Sequence, residues 1–476
     1  MGRWWILLGL LAGGLVNLGG ILPLASAQFS PPSPGGFNSA PAGGVNGMPP
    51  GAFSGNPNLA GRSAEFPNPA QPSQEPASPF SIRDDGMPNA FTELIDPRPR
   101  VLNPYTATFR GEFLTWWISK GPINADLVTT TTNPAKEIGA LGQPNTQILL
   151  PASAGAIDYR ALYGFRASMG LALGCIPPIE VSGFSFNRNF TVFEAGTSDL
   201  KGPFLARPVQ VVNVLAAPSI GQESASVIRI PGALNGMISV ESRLSLWGID
   251  VNTFYNCIDC DNCKLDLMLG YRHIDLYESF DISTHSGGIA GKVIFGGATF
   301  PSGFSTSVLD VFRARNSFDG GQVGLRGIFT VDRVSLFSDI KCALGNTYHT
   351  LSIEGNTTLN QPVPGRPTQT LPGGLLALPS NSGIISKNEF SVVPEANVSL
   401  SFQLGQHIRI FGGCSVLYWS SVTRPGDSVN NIIDARAVPT LSTFNSKVAG
   451  IAPRIPAMSL RDFWAEGVFA GIEFGF

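Results

Sequence analysis

Three of the chain's six cysteines stand as Cys257-x-x-Cys260-x-x-Cys263, a spacing that offers thiolates to zinc or to part of an iron–sulfur cluster, or sulfurs for a local disulfide. No fourth ligand stands nearby and the exported chain described below meets an oxidising compartment. The triplet therefore reads as a disulfide-stapled turn, with no metal and no cofactor expected. Cys342 and Cys414 fall on apolar faces as small hydrophobes, and Cys175 ends a strand on the same side as the triplet. The four histidines are His273, His285, His349 and His407. His285-Ser286 and His349 fall near long loops, where a hydrolase in a barrel would keep its base, yet none sits in a recognisable nucleophile motif. The chain is not expected to be an enzyme. Asp427, Asn430, Asn431 and Asp434 within 424–439 have the oxygens a hard cation wants but read as a solvated polar loop.

The strongest chemical signal is charge confined to one parity. Arg110 and Glu112 alternate with Phe109, Phe113 and Trp117, and Glu395, Arg409 and Glu473 likewise oppose apolar neighbours. Alternate residues of a strand face opposite ways, so these five charges would line the inside of a barrel whose outside is greasy. Charges there filter ions by sign, or pair and seal the lumen when the barrel is narrow.

The elements that position those charges are extended segments. The spacing predicts strands near 105–119, 163–175, 179–195, 239–256, 264–282, 312–330, 333–358, 388–404, 407–422 and 462–476. In 388–404 Phe390, Val392, Ala396, Val398, Leu400, Phe402 and Leu404 share one parity, against Glu389, Ser391, Glu395, Asn397, Ser399, Ser401 and Gln403. Short turns (Ile176-Pro177-Pro178, Cys257 to Cys263, Val331-Asp332, Gly405-Gln406) alternate with five long loops. That is the layout of an antiparallel transmembrane β-barrel with short turns and termini on one side. The expected count is ten strands, or twelve if 333–358 splits at Gly345-Asn346 and a loop hides one more.

Three local features bear on the barrel wall. In 239–256 the apolar parity moves from Val240, Leu244 and Leu246 to Trp247, Ile249 and Val251. In 264–282 it moves from Leu265, Leu267, Leu269 and Tyr271 to Ile274, Leu276 and Phe280. A β-bulge would do this, and so would a strand that leaves the membrane and continues into a loop domain. Arg188 shares the apolar parity of Phe184, Phe186, Phe190 and Val192, so it is expected at the headgroup level or displaced by a bulge. Trp116, Trp117, Tyr418, Trp419, Phe463 and Trp464 fall toward strand ends, where aromatic girdles lie.

Composition agrees. Charged residues are 14% of the chain, with 55 glycines and 31 phenylalanines, against about 25% charged in an ordinary globular domain. A net charge of −3 without a basic run argues against nucleic acid as a partner. Arg3, the apolar Ile6 to Ile21 and Ala25-Ser26-Ala27 make residues 1–27 a cleavable signal peptide. Residues 28–100, rich in Pro, Gly, Ser and Asn, read as a disordered tether, a spacer or a reach toward peptidoglycan or a periplasmic partner. Residues 101–476 are the barrel. No later run is apolar and long enough for a spanning helix, so a membrane is crossed by strands.

Several spaced pieces resemble the Putative beta barrel porin-7 family of bacterial outer-membrane proteins. They are Gly111-Glu112-Phe113-Leu114-Thr115-Trp116-Trp117, Ala140-Leu141-Gly142-Gln143-Pro144, Leu246-Trp247-Gly248, Leu265-Asp266-Leu267 with Gly270-Tyr271-Arg272, and Gly373-Gly374-Leu375-Leu376-Ala377. Pro394-Glu395, Leu417-Tyr418-Trp419-Ser420, Arg424-Pro425-Gly426-Asp427 and Asp462-Phe463-Trp464 continue the order. The resemblance covers about 105–476 and implies a bacterial outer-membrane barrel with a porin label, no catalytic residues and no defined substrate. The end is also similar to the signal read by the barrel assembly machinery, with Gly471, Phe474 and Phe476 in place and Phe469 where a polar residue is usual. The expected function is passive diffusion of small hydrophilic solutes through a narrow, charge-lined lumen. The alternative is a non-conducting structural or surface-interaction barrel acting through its loops and tether.

Overall fold

The computed structural model describes residues 105–132, 138–150, 157–174, 176–197, 203–212, 222–288, 293–295, 298–361, 367–445 and 453–476. The expected signal peptide, the tether and Cys175 lie outside the described residues.

Ten antiparallel strands close into a ring: β1 (Tyr105–Ile118), β2 (Ala161–Leu173), β3 (Ile179–Phe186), β4 (Leu234–Asp259), β5 (Cys263–Gly288), β6 (Ser305–Val331), β7 (Val334–Asn360), β8 (Gly383–Gln403), β9 (Ile408–Val422) and β10 (Arg461–Gly475). Each strand pairs with its neighbour in sequence, and β10 pairs with β1 across Thr108↔Gly475 to Ile118↔Ala465. The ring closes because no edge is left over, which is what a wall in hydrocarbon requires. Residues Val334–Asn360 form one uninterrupted strand, so the split that would have led to twelve does not occur. Short turns join β2–β3, β4–β5, β6–β7 and β8–β9. At the tightest of these Asp332 takes a φ of 52°, the left-handed backbone that two-residue hairpins favour.

The strands differ greatly in length. β6 and β7 have 27 residues each, roughly 90 Å of chain at ~3.3 Å per residue, against the roughly 9–11 residues that cross a bilayer. β1 has 14 and β2 has 13. One side of the wall, β4 to β8, therefore rises far beyond the other on the long-loop side. Asn189–Thr197 continues β3 along β4 as part of this wall.

This extension explains the two changes of parity, and no bulge is involved. Along β4 the even residues stay inside from Leu234 to Phe254. What changes is the medium outside. Beside the short-turn end the outward residues are Trp247, Ile249 and Val251 and the inward ones Asp250 and Asn252. Further up the outward residues are Glu241 and Arg243 and the inward ones Val240, Leu244 and Leu246. β5 inverts in the same way between Arg272 and Ile274. The lower wall is greasy outside and polar inside; the upper wall is built like a soluble protein, apolar inside and polar outside.

Two expectations are corrected at the rim. Residues 179–195 are two strands broken at Asn187-Arg188, so Arg188 sits in the break. Phe184 and Phe186 point inward and are buried, whereas Phe190 and Val192 are exposed. Of the six rim aromatics, Trp117, Tyr418 and Trp464 face outward as a girdle would. Trp116, Trp419 and Phe463 face inward and are 1%, 0% and 0% exposed.

Over the rim, Val128–Thr131, Thr146–Leu150, Phe204–Val211, Gln222–Arg229 and Ile432–Ile433 pair into a second sheet. This cap is built from three of the long loops, those between β1 and β2, β3 and β4, and β9 and β10. Its Leu127, Leu205, Val209, Ile228 and Ile433 pack on Val240, Phe280, Phe312 and Leu351 of the upper wall.

Candidate functional site

The interior falls into three levels. At the lowest, charges from eight strands meet across the lumen. Arg110 Nε is 2.7 Å from Glu112, Arg166 is 3.3 Å from Glu112 and 3.7 Å from Glu395, and Lys341 is 2.8 Å from Asp250 and 3.6 Å from Glu395. Arg272 lies between Glu395 and Asp250, 3.2 Å from the latter. Arg326 forks onto Glu180 and Asp339 at 2.8–3.0 Å, and Arg409 donates to Glu473 at 3.0 Å nearer the short turns. Each charge taken from water costs several kcal/mol unless a partner and further hydrogen bonds offset it, which is why these groups interlock. The space left among Arg110, Glu112, Arg166, Arg326, Asp339 and Lys341 is about 40 Å³, room for very few waters. All five charges expected inside, Arg110, Glu112, Glu395, Arg409 and Glu473, are on the inner face. The first three join the central network, whereas Arg409 and Glu473 form a separate pair.

The middle level is apolar. Leu114 and Trp116 of β1, Leu162 of β2, Phe184 and Phe186 of β3, Leu246 of β4, Ile274 of β5, Phe318 of β6, Ala343 of β7, Val393 of β8, Trp419 of β9 and Phe463 of β10 form one buried cluster. Every strand contributes, and no member of this set is more than 6% exposed. Among the described residues, the passage expected along the lumen is therefore filled at this level. Glycine makes the fit possible: a Cβ at Gly467 would stand 2.2 Å from Trp116 Cδ1. Large rings opposite bare backbone are how a tapering barrel fills its centre.

The upper level ties the cap to the wall by buried polar groups. Arg424, from the loop after β9, forks onto Glu278 of β5, with Nη2 2.6 Å from Oε1. Tyr159, from the loop before β2, donates to the same carboxylate at 2.9 Å and lies 2.6 Å from Ser242. Burial, then the Glu278 charge, pushes the Tyr159 hydroxyl well up, so it remains a donor. Burial opposes the Arg424 charge, but Glu278 outweighs it and holds the guanidinium above its ordinary value.

A second anchor is Asp310 of β6, fully buried. One oxygen accepts from the backbone N–H of Leu375, Leu376 and Ala377 at 2.8–2.9 Å; the other is 2.8 Å from Arg207 of the cap. A Cβ at Gly374 would reach 2.1 Å from that carboxylate, which accounts for the Gly373-Gly374-Leu375-Leu376-Ala377 run. Asn316 of β6 is the third. It accepts from the Thr423 N–H at 2.8 Å, donates to the Thr423 carbonyl at 2.9 Å, and its oxygen meets His349 Nδ1 at 2.8 Å, so His349 donates there.

Glu278, Asp310 and Asn316 were missed in the sequence, although each carries a signal: a polar residue on the apolar parity, as Glu278 between Leu276 and Phe280. Asp427, weighed for a cation, pairs with Arg461 at 2.7 Å, and Asp434 caps its own short helix and holds Arg436. Among the described residues no group of His, Cys, Asp and Glu is arranged to hold a metal ion. In the β4–β5 turn Cys260 and Cys263 are disulfide-bonded, and Cys257 is an exposed thiol. Cys257 is the extra residue of a bulge, since Ile258 opposes Leu265 and Asn256 opposes Asp266. Cys342 and Cys414 have outward parity on β7 and β9.

A closed antiparallel barrel with an outward apolar band, girdle aromatics and a polar inner face defines an outer-membrane β-barrel protein. The chain belongs to the Putative beta barrel porin-7 family, whose model matches residues 109–476. No curated protein matches it. Among solved structures it is similar to the outer membrane protease OmpT from Escherichia coli, at 8% identity over 79% of this chain and 99% of that one, with a TM-score of 0.35. It is also similar to the Pseudomonas putida toluene transporter TodX, at 6% identity, 79% and 90% coverage and a TM-score of 0.17. A Pseudomonas aeruginosa FadL homologue gives 7%, 79% and 90%, with a TM-score of 0.19. Overlaps this slight bear on neither activity nor substrate.

Proposed function

We propose that this protein is a non-conducting outer-membrane barrel whose working part is the folded cap held at the cell surface. The observation that carries this reading is the apolar level, to which all ten strands contribute buried side chains. A pore for hydrophilic solutes needs a continuous wet path, and hydrophobic constrictions dewet and block ions. The charge-lined lower lumen favours a second reading, passive diffusion of small hydrophilic solutes. On that reading both the apolar level and the cap would have to part. Liposomes carrying the purified barrel separate the two: no swelling in small sugars supports the sealed barrel, and swelling at porin-like rates supports diffusion.

On this reading the short turns face the periplasm, a cleaved signal peptide exports the chain, and residues 28–100 offer a reach toward peptidoglycan or a periplasmic partner. Assembly would run through the end of β10. Phe476 exchanges backbone hydrogen bonds with Ala107 at 2.9 and 3.1 Å, and its ring lies 6.5 Å from Phe109 and 6.2 Å from His407. Deleting Phe476 is expected to lower the heat-modifiable barrel in outer membranes severalfold. Unchanged levels would remove the assembly role from this residue.

A further inference from the structure

Between the girdles, the outward positions of the ten strands carry apolar or small residues and, among the described residues, no lysine or arginine. Glu466 of β10 breaks the pattern. Its parity is outward, between Trp464 and Val468, both exposed. Two residues inside Trp464 along a tilted strand, it lies roughly 5 Å nearer the bilayer centre than that girdle ring. A carboxylate at such a depth is costly without a partner. Other outward carboxylates at this rim have partners: Asp462 accepts from the Tyr418 hydroxyl, and Asp319 accepts from Tyr271 and lies 2.8 Å from His273 Nδ1. The Glu466 side chain has no ion pair and no hydrogen bond among the described residues.

Its surroundings are aromatic. Trp117 stands directly opposite on β1, Val416 opposite on β9, and Tyr418 pairs with Trp464 one step nearer the rim. Directly opposed Cβ atoms are about 4.5–5.5 Å apart, so the Trp117 ring and the Glu466 carboxylate are neighbours. Indole and phenol faces attract cations, and rings grouped around negative charge, here Glu466 with Asp462 nearer the rim, are the chemistry that recognises ammonium groups. Among the described residues no lysine or arginine faces outward at this depth, so the described face of a second copy would not supply one. Lipid head groups begin at the girdle, within reach of a glutamate side chain that extends toward the rim.

We propose that Glu466, with Trp117, Trp464 and Tyr418, docks the ammonium head group of a membrane lipid on the β9–β10–β1 face. The test is native mass spectrometry of the full mature chain released from detergent carrying equimolar phosphatidylethanolamine and phosphatidylglycerol of identical acyl chains. The wild type is expected to retain the ammonium lipid roughly tenfold over phosphatidylglycerol, and Glu466→Gln to bring the ratio near parity while keeping heat-modifiable mobility. A further comparison needs no variant: N-acetylated phosphatidylethanolamine, which lacks the positive charge, should be retained no better than phosphatidylglycerol. Equal retention of all three lipids by the wild type, or an undiminished preference in folded Glu466→Gln, would overturn the site. So would loss of the preference on chelation, which would assign the carboxylate to a divalent cation.

Discussion

Replacing Arg424 by alanine should release the cap from the rim while the ring of strands stays closed. Glu278 would be left fully buried with Tyr159 as its remaining partner. Breaking a buried pair on one side costs about 3–5 kcal/mol, because the orphaned charge remains out of water. The strand pairing of the lower wall does not involve this loop. The expected result is therefore divided: rapid proteolysis of the loop between β9 and β10 at the surface of intact cells, with normal heat-modifiable migration of the barrel. Replacing both partners, Arg424→Leu with Glu278→Leu, removes the uncompensated charge and should recover most of the protection. A single variant as resistant as the wild type would show that the cap is held elsewhere, at Asp310 or Asn316.

The second large effect concerns the apolar level. Trp116 packs 4.8 Å from Phe186 and 5.6 Å from Phe184, and Trp419 lies edge-on to Phe318 at 6.1 Å with its indole N–H on Thr347. Truncating a buried tryptophan to alanine costs about 3–5 kcal/mol, and each void would greatly exceed the ~30 Å³ share of one water. Below the apolar level lie charged groups that water would readily join. In Trp116→Ala with Trp419→Ala, water is expected to connect the lower lumen to the cap, giving a small leak of ions that the wild type lacks. A variant that inserts and stays silent would mean that the cap alone seals the barrel.

Much of the wall was legible because period two survives any medium. In β8 the alternation around Glu395 could be read directly, and the inward face of Glu473 followed from the parity of 462–476. The inner or outer assignment of aromatics was less legible. Trp116 and Trp117 differ by one step, and which of them meets lipid depends on where the strand crosses the membrane surface, a property of the assembled wall. The parity changes in β4 and β5 recorded that crossing, but a bulge predicts the same string of letters.

The cap could not be read at all, because its contacts are distant in sequence. Arg424 meets Glu278 across 146 residues and Asn316 meets Thr423 across 107. Nothing local in Arg424-Pro425-Gly426-Asp427 names its partner. What the sequence does carry is a polar residue on a buried parity, and at Glu278, Asp310 and Asn316 that oddity marks an anchor.

The sealed lumen is tested most directly by single-channel recording of the purified mature barrel in a planar bilayer, across salts and voltages. The structure predicts a quiet baseline with the cap intact and opening events only when Trp116 and Trp419 are both truncated. Regular, resolvable openings of the unmodified protein would contradict it and restore diffusion through the charge-lined lumen as the function.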